Sequence, residues 1–270
     1  MTAGASRKLV LITGASAGIG AAFARAYAAR GFDLALVARR RDRLKALAAE
    51  LSGRHTIEAF AIIADLAASE AEAPVMAALA ARGRTVDVLV NNAGFGIPQN
   101  FTRVPWARQR DFLMTLAVTP CALAYAVIPD MAAKGGGNIL NVASVAGFAP
   151  GVGGNTLYPA VKSLMIKFSQ SLDSEYRARG LKVTAVCPGT TISEFAETAG
   201  IPGRTGQKPG FGVQTAEAVV EAAIRGNEAG RSVVIPGWHN RIAVGLMRLL
   251  PQPLVRGVID TAAARYRPPE

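Results

Sequence analysis

Thr13-Gly14-Ala15-Ser16-Ala17-Gly18-Ile19-Gly20 is the stretch on which the fold turns, because it joins an apolar run of strand length (8–13, KLVLIT) to a segment of helical composition (18–30). Glycines in such a turn permit left-handed backbone and let the main chain approach a phosphate closely. The free N–H groups and the positive dipole end of the following helix then complete an anion cradle. A glycine-rich turn alone is common, and its setting between strand and helix is what gives it meaning.

Outward from this turn, strand-like and helix-like segments alternate. Strands are expected at 33–38, 56–64, 87–91, 138–143, 182–187 and 232–235. Helices are expected at about 42–51, 69–82, 107–134, 158–179 and 215–228, with Pro120 and Pro129 bending or breaking the long one. Alternation of this kind implies an α/β fold: a Rossmann-type, doubly wound, mainly parallel seven-stranded sheet with helices on both faces. One domain over 1–270 is expected, with the glycine- and proline-rich 190–212 as a substrate lid and 238–270 as a helical C-terminal extension.

Composition narrows the function classes. Half of the residues are hydrophobic and 18% are charged, which argues against disorder and suits a parallel sheet covered on both faces. Cys121 and Cys187 make neither a disulfide framework nor a metal site, so no metal is expected. No secretory signal is visible and no uninterrupted apolar run reaches membrane-span length, so a cytoplasmic protein is expected. The net charge of +11 is scattered, apart from Arg39-Arg40-Arg41-Asp42-Arg43, and no basic and aromatic residues alternate as in a single-strand-binding surface. No nucleic-acid partner is expected. The arginines of the extension (Arg241, Arg248, Arg256, Arg265 and Arg267) alternate with apolar residues. That pattern fits a helix covering its own protein or a neighbouring subunit better than one lying on a membrane.

Ligands in such sheets bind beyond the carboxyl ends of the strands. At the end of the second strand, where an NAD-binding protein carries an acidic residue, this chain has Arg39 and Arg40. Guanidinium groups suit an adenosine 2′-phosphate, so NADP(H) is the expected cofactor. Asp65-Leu66, Asn91-Asn92-Ala93-Gly94 and Pro188-Gly189 close the third, fourth and sixth strands. Tyr158 and Lys162 are four apart on one helical face, which brings an ammonium near a phenol and favours its ionised form.

The spacing Thr13-Gly14-x-x-x-Gly18-x-Gly20, the Asn-Asn-Ala-Gly element and Tyr158-x-x-x-Lys162 together resemble the short-chain dehydrogenase/reductase family over residues 7–236. The resemblance implies Ser144, Tyr158 and Lys162 as catalytic residues. It implies cofactor contacts from Gly14, Ser16, Gly18, Ile19 and Gly20, from Arg39, Arg40, Asp65 and Leu66, and from Asn91, Ala93 and Gly94. Pro188, Gly189, Thr191 and Ser193 join these, with Tyr158 and Lys162 touching the nicotinamide ribose. The implied activity is NADP(H)-dependent hydride transfer between nicotinamide and a carbonyl or secondary alcohol, in a homodimer or homotetramer. Phe95, Ile97, Phe148, Phe195, Ile201 and Phe211 point to an apolar substrate. One departure stands out: the register puts Ala117 where relatives carry an asparagine that holds a proton-relay water, with Thr115 or Thr119 as the neighbours that would take its place. It motivates the alternative of a cofactor-binding regulatory or scaffold relative with weakened or no turnover.

Overall fold

Strand-length runs of leucine, isoleucine and valine, buried on both faces, set the architecture. The computed structural model describes residues 7–151, 153–192, 194 and 212–264. In it, β1 (Leu9–Thr13) and β2 (Asp33–Ala38) are buried at every position, as strands covered on both sides must be. With β3 (Ala59–Ile63), β4 (Val88–Asn91), β5 (Gly137–Val142), β6 (Leu181–Val186) and the short β9 (Val233–Val234) they form a seven-stranded sheet in the order β3-β2-β1-β4-β5-β6-β9. Every pairing is parallel. The chain reverses its lateral direction between β1 and β4, and such a switch point opens a crevice at the carboxyl ends of the strands.

Helices close both faces. α1 (Gly18–Ala28), α2 (Arg41–Arg54) and α7 (Ala216–Glu228) cover one, packing Phe23, Leu44, Leu51 and Val219 against Val10, Ile12 and Leu36. α3 (Glu72–Ala80), α5 (Thr119–Ala133) and α6 (Leu157–Tyr176) cover the other, bringing Val75, Leu123, Val127 and Leu172 onto Leu9, Leu11 and Ile139.

The long central helix departs from expectation. α4 (Trp106–Leu113) passes through a single π-helical turn, Met114–Val118, into α5. Pro120 directly follows the π turn at the start of α5, and Pro129 is carried inside α5 without ending it. Trp106–Ala133 spans 28 residues and contains an 18-residue window of mean hydropathy 1.8, so by length and composition it could cross a membrane, contrary to the sequence expectation. It is nevertheless a core helix, since Leu123, Ala124, Val127, Ile128 and Met131 are buried against the sheet. Third-strand and third-helix boundaries are shorter than expected, and a small parallel pair, β7 (Thr190–Thr191) with β8 (Val213–Gln214), was not foreseen. Past the sheet follow α8 (Trp238–Leu249) and α9 (Gln252–Ala264). α8 buries Asn240 and Val244 but leaves Trp238, Ile242, Leu246 and Leu249 exposed, so it covers its own protein along one narrow face only.

Candidate active site

The crevice is a cleft of about 570 Å³ along the carboxyl ends of β1, β2, β4, β5 and β6. Its floor is built from backbone. Gly14 has φ +65°, and a Cβ there would lie 2.8 Å from Ala93 Cα; a Cβ on Gly20 would lie 2.3 Å from Gly14 O. Only glycine lets these three segments close to such distances. The Thr13 hydroxyl locks the arrangement, donating to Val90 O (3.3 Å) and accepting from the N–H groups of Asn92 (2.9 Å) and Ala93 (3.1 Å). Asn92 Nδ2 in turn donates to Thr13 O (3.0 Å) and Gly14 O (3.2 Å). The first turn of α1 has no side-chain cap, and Gly18 and Ile19 present it to the cleft. A pinned glycine loop against an uncapped helix start fits a pyrophosphate.

Most of the expected site residues meet here. Gly14, Ser16, Gly18 and Ile19 line the cleft, as do Arg39, Arg40, Asp65 and Leu66 beyond β2 and β3. Ala93 and Gly94 lie beyond β4, and Pro188, Gly189 and Thr191 beyond β6. Two expected contacts sit behind the wall instead. Gly20 is packed under the loop, and the buried Asn91 spends its Nδ2 on Pro120 O (3.1 Å) and Asn141 Oδ1 (2.9 Å). Asn141 Nδ2 continues to Ser169 Oγ (2.9 Å), so Asn91 ties β4 to β5 and α6; the cleft-facing asparagine is its neighbour Asn92. Ser193, Phe195, Ile201 and Phe211 lie outside the described residues, as does most of the expected lid.

The chemical end of the cleft lies over β5 and α6. Ser144 and Lys162 are buried, and Tyr158 lines the same wall with its ring against Phe112. Lys162 Nζ stands 5.5 Å from the Tyr158 ring centre and donates to Val142 O at 2.8 Å. Burial pulls the Lys162 ammonium down to about 8. The neighbouring Cys187 thiol is pushed up to about 12, mainly by burial, and so stays neutral. Ser144 Oγ accepts from the N–H of Ala146 (3.1 Å), which occupies a lone pair and leaves the O–H to donate outward.

Gly147, which the sequence reading passed over, brings these groups together. A Cβ at this position would lie 2.8 Å from the carbonyl carbon of Lys162 and 2.7 Å from Ile166 Cδ1, so its absence lets the turn that carries Ser144 lie directly on α6. Phe95 and Ile97, read from the sequence as pocket residues, line the cleft with Thr115, and Asn155 joins them unannounced by any motif. Ala117 does not face it: it is buried with Phe112 and Leu116, and Thr115 is the cleft-facing residue of the π turn. Thr119 spends its hydroxyl on Leu66 O (2.9 Å). Phe148 lies outside the cleft, under the Arg248 guanidinium.

At the end of the cleft beyond β2 and β3 charge predominates. Arg40 Nε donates to Ser16 Oγ (3.0 Å) and its Nη1 to Glu194 Oε2 (2.7 Å); Arg43 Nη1 donates to both Glu194 oxygens (2.8 Å). Arg39 Nη1 stands 4.0 Å from Asp65 Oδ1.

Comparison with known proteins agrees with this geometry. The family model described as short chain dehydrogenase matches residues 8–200. An oxidoreductase of Myxococcus xanthus is 33% identical over 97% of this chain and 98% of its own length. A short-chain dehydrogenase from Sphingobium yanoikuyae, solved in complex with NADPH, superposes with a TM-score of 0.78 at 35% identity, covering 91% of this chain and 97% of that one. The bulky-bulky ketone specific alcohol dehydrogenase from Comamonas testosteroni does so at 0.75 and 32%, covering 91% and 95%. The glycine cradle, the Ser144–Tyr158–Lys162 wall and these likenesses have one reading: the chain belongs to the short-chain dehydrogenase/reductase family of oxidoreductases.

Proposed function

We propose that this protein is an NADP(H)-dependent oxidoreductase that interconverts an apolar ketone or aldehyde and the corresponding alcohol. The observation that carries it is the meeting of Ser144, Tyr158 and Lys162 on one wall of a cleft whose floor is a glycine cradle and whose far end holds Arg39 and Arg40. When bound, the nicotinamide supplies the hydride to the carbonyl carbon, or accepts it in the reverse direction. The chain's own residues handle the oxygen. The Ser144 hydroxyl donates a hydrogen bond to it and stabilises its growing negative charge. Tyr158 then delivers its phenolic proton to that oxygen, completing the alcohol. The Lys162 ammonium beside the ring stabilises the phenolate left behind. Lys162, on the same wall of the cleft, would also hold the nicotinamide ribose.

Phe95 and Ile97 line the cleft near Tyr158 and support an apolar substrate, and the similarity to an alcohol dehydrogenase for bulky ketones points the same way. The arginines at the adenosine end and the NADPH-bound relative support NADP(H) over NAD(H). A scaffold role without turnover loses its main argument, because Ala117 lies away from the cleft. Free Cys121 and Cys187 suit a reducing compartment, such as the cytoplasm. Exposed Val118, Tyr125 and Leu164, on the π turn, α5 and α6, suit a homodimer or homotetramer built on those helices. The deciding experiment is NADPH oxidation across a panel of bulky and small ketones and aldehydes. Turnover on the bulky ketones, lost in Tyr158→Phe, is the expected result. NADPH binding without turnover on any compound would return the scaffold reading.

A further inference from the structure

The sequence places two arginines where a 2′-phosphate would lie, but the structure gives Arg40 an anion of its own. Glu194, only three positions past β7 and far from α2 in the chain, reaches across the cleft to Arg40 and Arg43. Its carboxylate takes the Nη1 donor of Arg40 at 2.7 Å while Ser16 takes Nε at 3.0 Å. Two of the three nitrogens of that guanidinium are thus engaged. Glu194, Arg40 and Ser16 all line the one cleft, so the ion pair sits in the path of a ligand. Arg40, foremost, and Arg43 hold the Glu194 carboxyl below its usual range, so it is charged at neutral pH.

We propose that Glu194 is a cofactor-discriminating residue, whose carboxylate occupies the Arg40 guanidinium and must be displaced by a 2′-phosphate but not by a bare 2′-hydroxyl. The inference rests on the reading of this cleft as a dinucleotide site. Its physical basis is that a carboxylate and a phosphate dianion repel when they share one guanidinium fork. A ribose hydroxyl carries no charge and can donate to the carboxylate instead. The chain lacks the acid that usually ends β2 in NAD-binding proteins, and Glu194 supplies a carboxylate to the same end of the cleft from the opposite side. The net preference is then the difference between two opposed terms: arginines favour the phosphate and Glu194 resists it.

The test is binding, by calorimetry or fluorescence, of NADPH, NADH, and the fragments 2′-phospho-ADP-ribose and ADP-ribose to wild type and Glu194→Gln. Glutamine is nearly isosteric and the side chain is 43% exposed, so the fold should survive; circular dichroism and a melting curve check this. The expected result is NADPH and 2′-phospho-ADP-ribose binding about fivefold to tenfold tighter in Glu194→Gln. NADH and ADP-ribose should stay within about twofold of wild type or weaken. An unchanged NADPH-to-NADH ratio would overturn the assignment of Glu194 alone. Weaker NADPH binding would overturn it too, making Glu194 a brace that holds Arg40 in place for the phosphate. If wild type bound neither dinucleotide, the reading of the cleft and this inference would fall together.

Discussion

The two ends of the cleft are built on opposite principles. The chemical end is buried: Ser144 is 9% and Lys162 7% exposed, and each is held by a main-chain partner. At the adenosine end the working groups are side chains on long stems, with Arg40 41%, Arg43 56% and Arg39 64% exposed. Burial makes an interaction strong and position-dependent, whereas exposure leaves it screened by water and salt and easily exchanged. On the proposed function, chemistry is therefore fixed at one end of the cleft and cofactor selectivity is adjustable at the other.

The largest test of this contrast is Tyr158→Phe. Loss of the proton donor should lower kcat by about a hundred- to ten-thousandfold. NADPH affinity, set mainly at the other end, should stay within about threefold in equilibrium titration. A comparable loss in both would mean the ends are not separable.

Lys162 offers a test without substrate. Its folded-state value is about 8 against an ordinary 10.5, so between those pH values the unfolded chain holds more protons than the native one. Stability from this group therefore rises with pH through that window, by roughly 3 kcal/mol in all, and is at its lowest below about pH 8. Urea midpoints measured across the window should show that rise in wild type and not in Lys162→Met. A parallel pH profile in both would mean the lysine is not desolvated as the structure shows.

A smaller effect is expected of Arg40→Gln, which removes a charge-assisted contact worth about 1.5–3 kcal/mol before Glu194 offsets part of it. NADPH should bind about tenfold more weakly, NADH little differently, and the gap should narrow with added salt. Combining it with Glu194→Gln sharpens the comparison further, because the gain from removing Glu194 should vanish once Arg40 is gone. If the two changes simply added, the carboxylate would act on something other than that guanidinium.

Much of this could be read from the chain because it lies in contiguous residues. The glycine turn between strand and helix, the four-residue spacing of Tyr158 and Lys162, and the arginines after β2 are local patterns with local physical causes. The sheet order is consistent with them, since alternating apolar runs and crossover helices admit few arrangements. Asn91 shows where the reading thinned: the Asn-Asn pair announces a role, but which residue faces the ligand depends on strand pleat and on the partner Asn141 across the sheet. The π turn at Met114–Val118 carries no sequence signature, and it decides that Thr115 rather than Ala117 meets the cleft.

The sequence by itself thus determined the α/β class, the cradle and the residues proposed to react, because each rests on a short-range spacing that backbone geometry translates directly. Only the tertiary structure decided what surrounds them: Gly147 seating the Ser144 turn on α6, burial drawing down the Lys162 ammonium, and Glu194 meeting Arg40 across the cleft. Those contacts join residues that no periodicity relates. They follow from packing and desolvation, which the chain acquires only when distant segments close on one another.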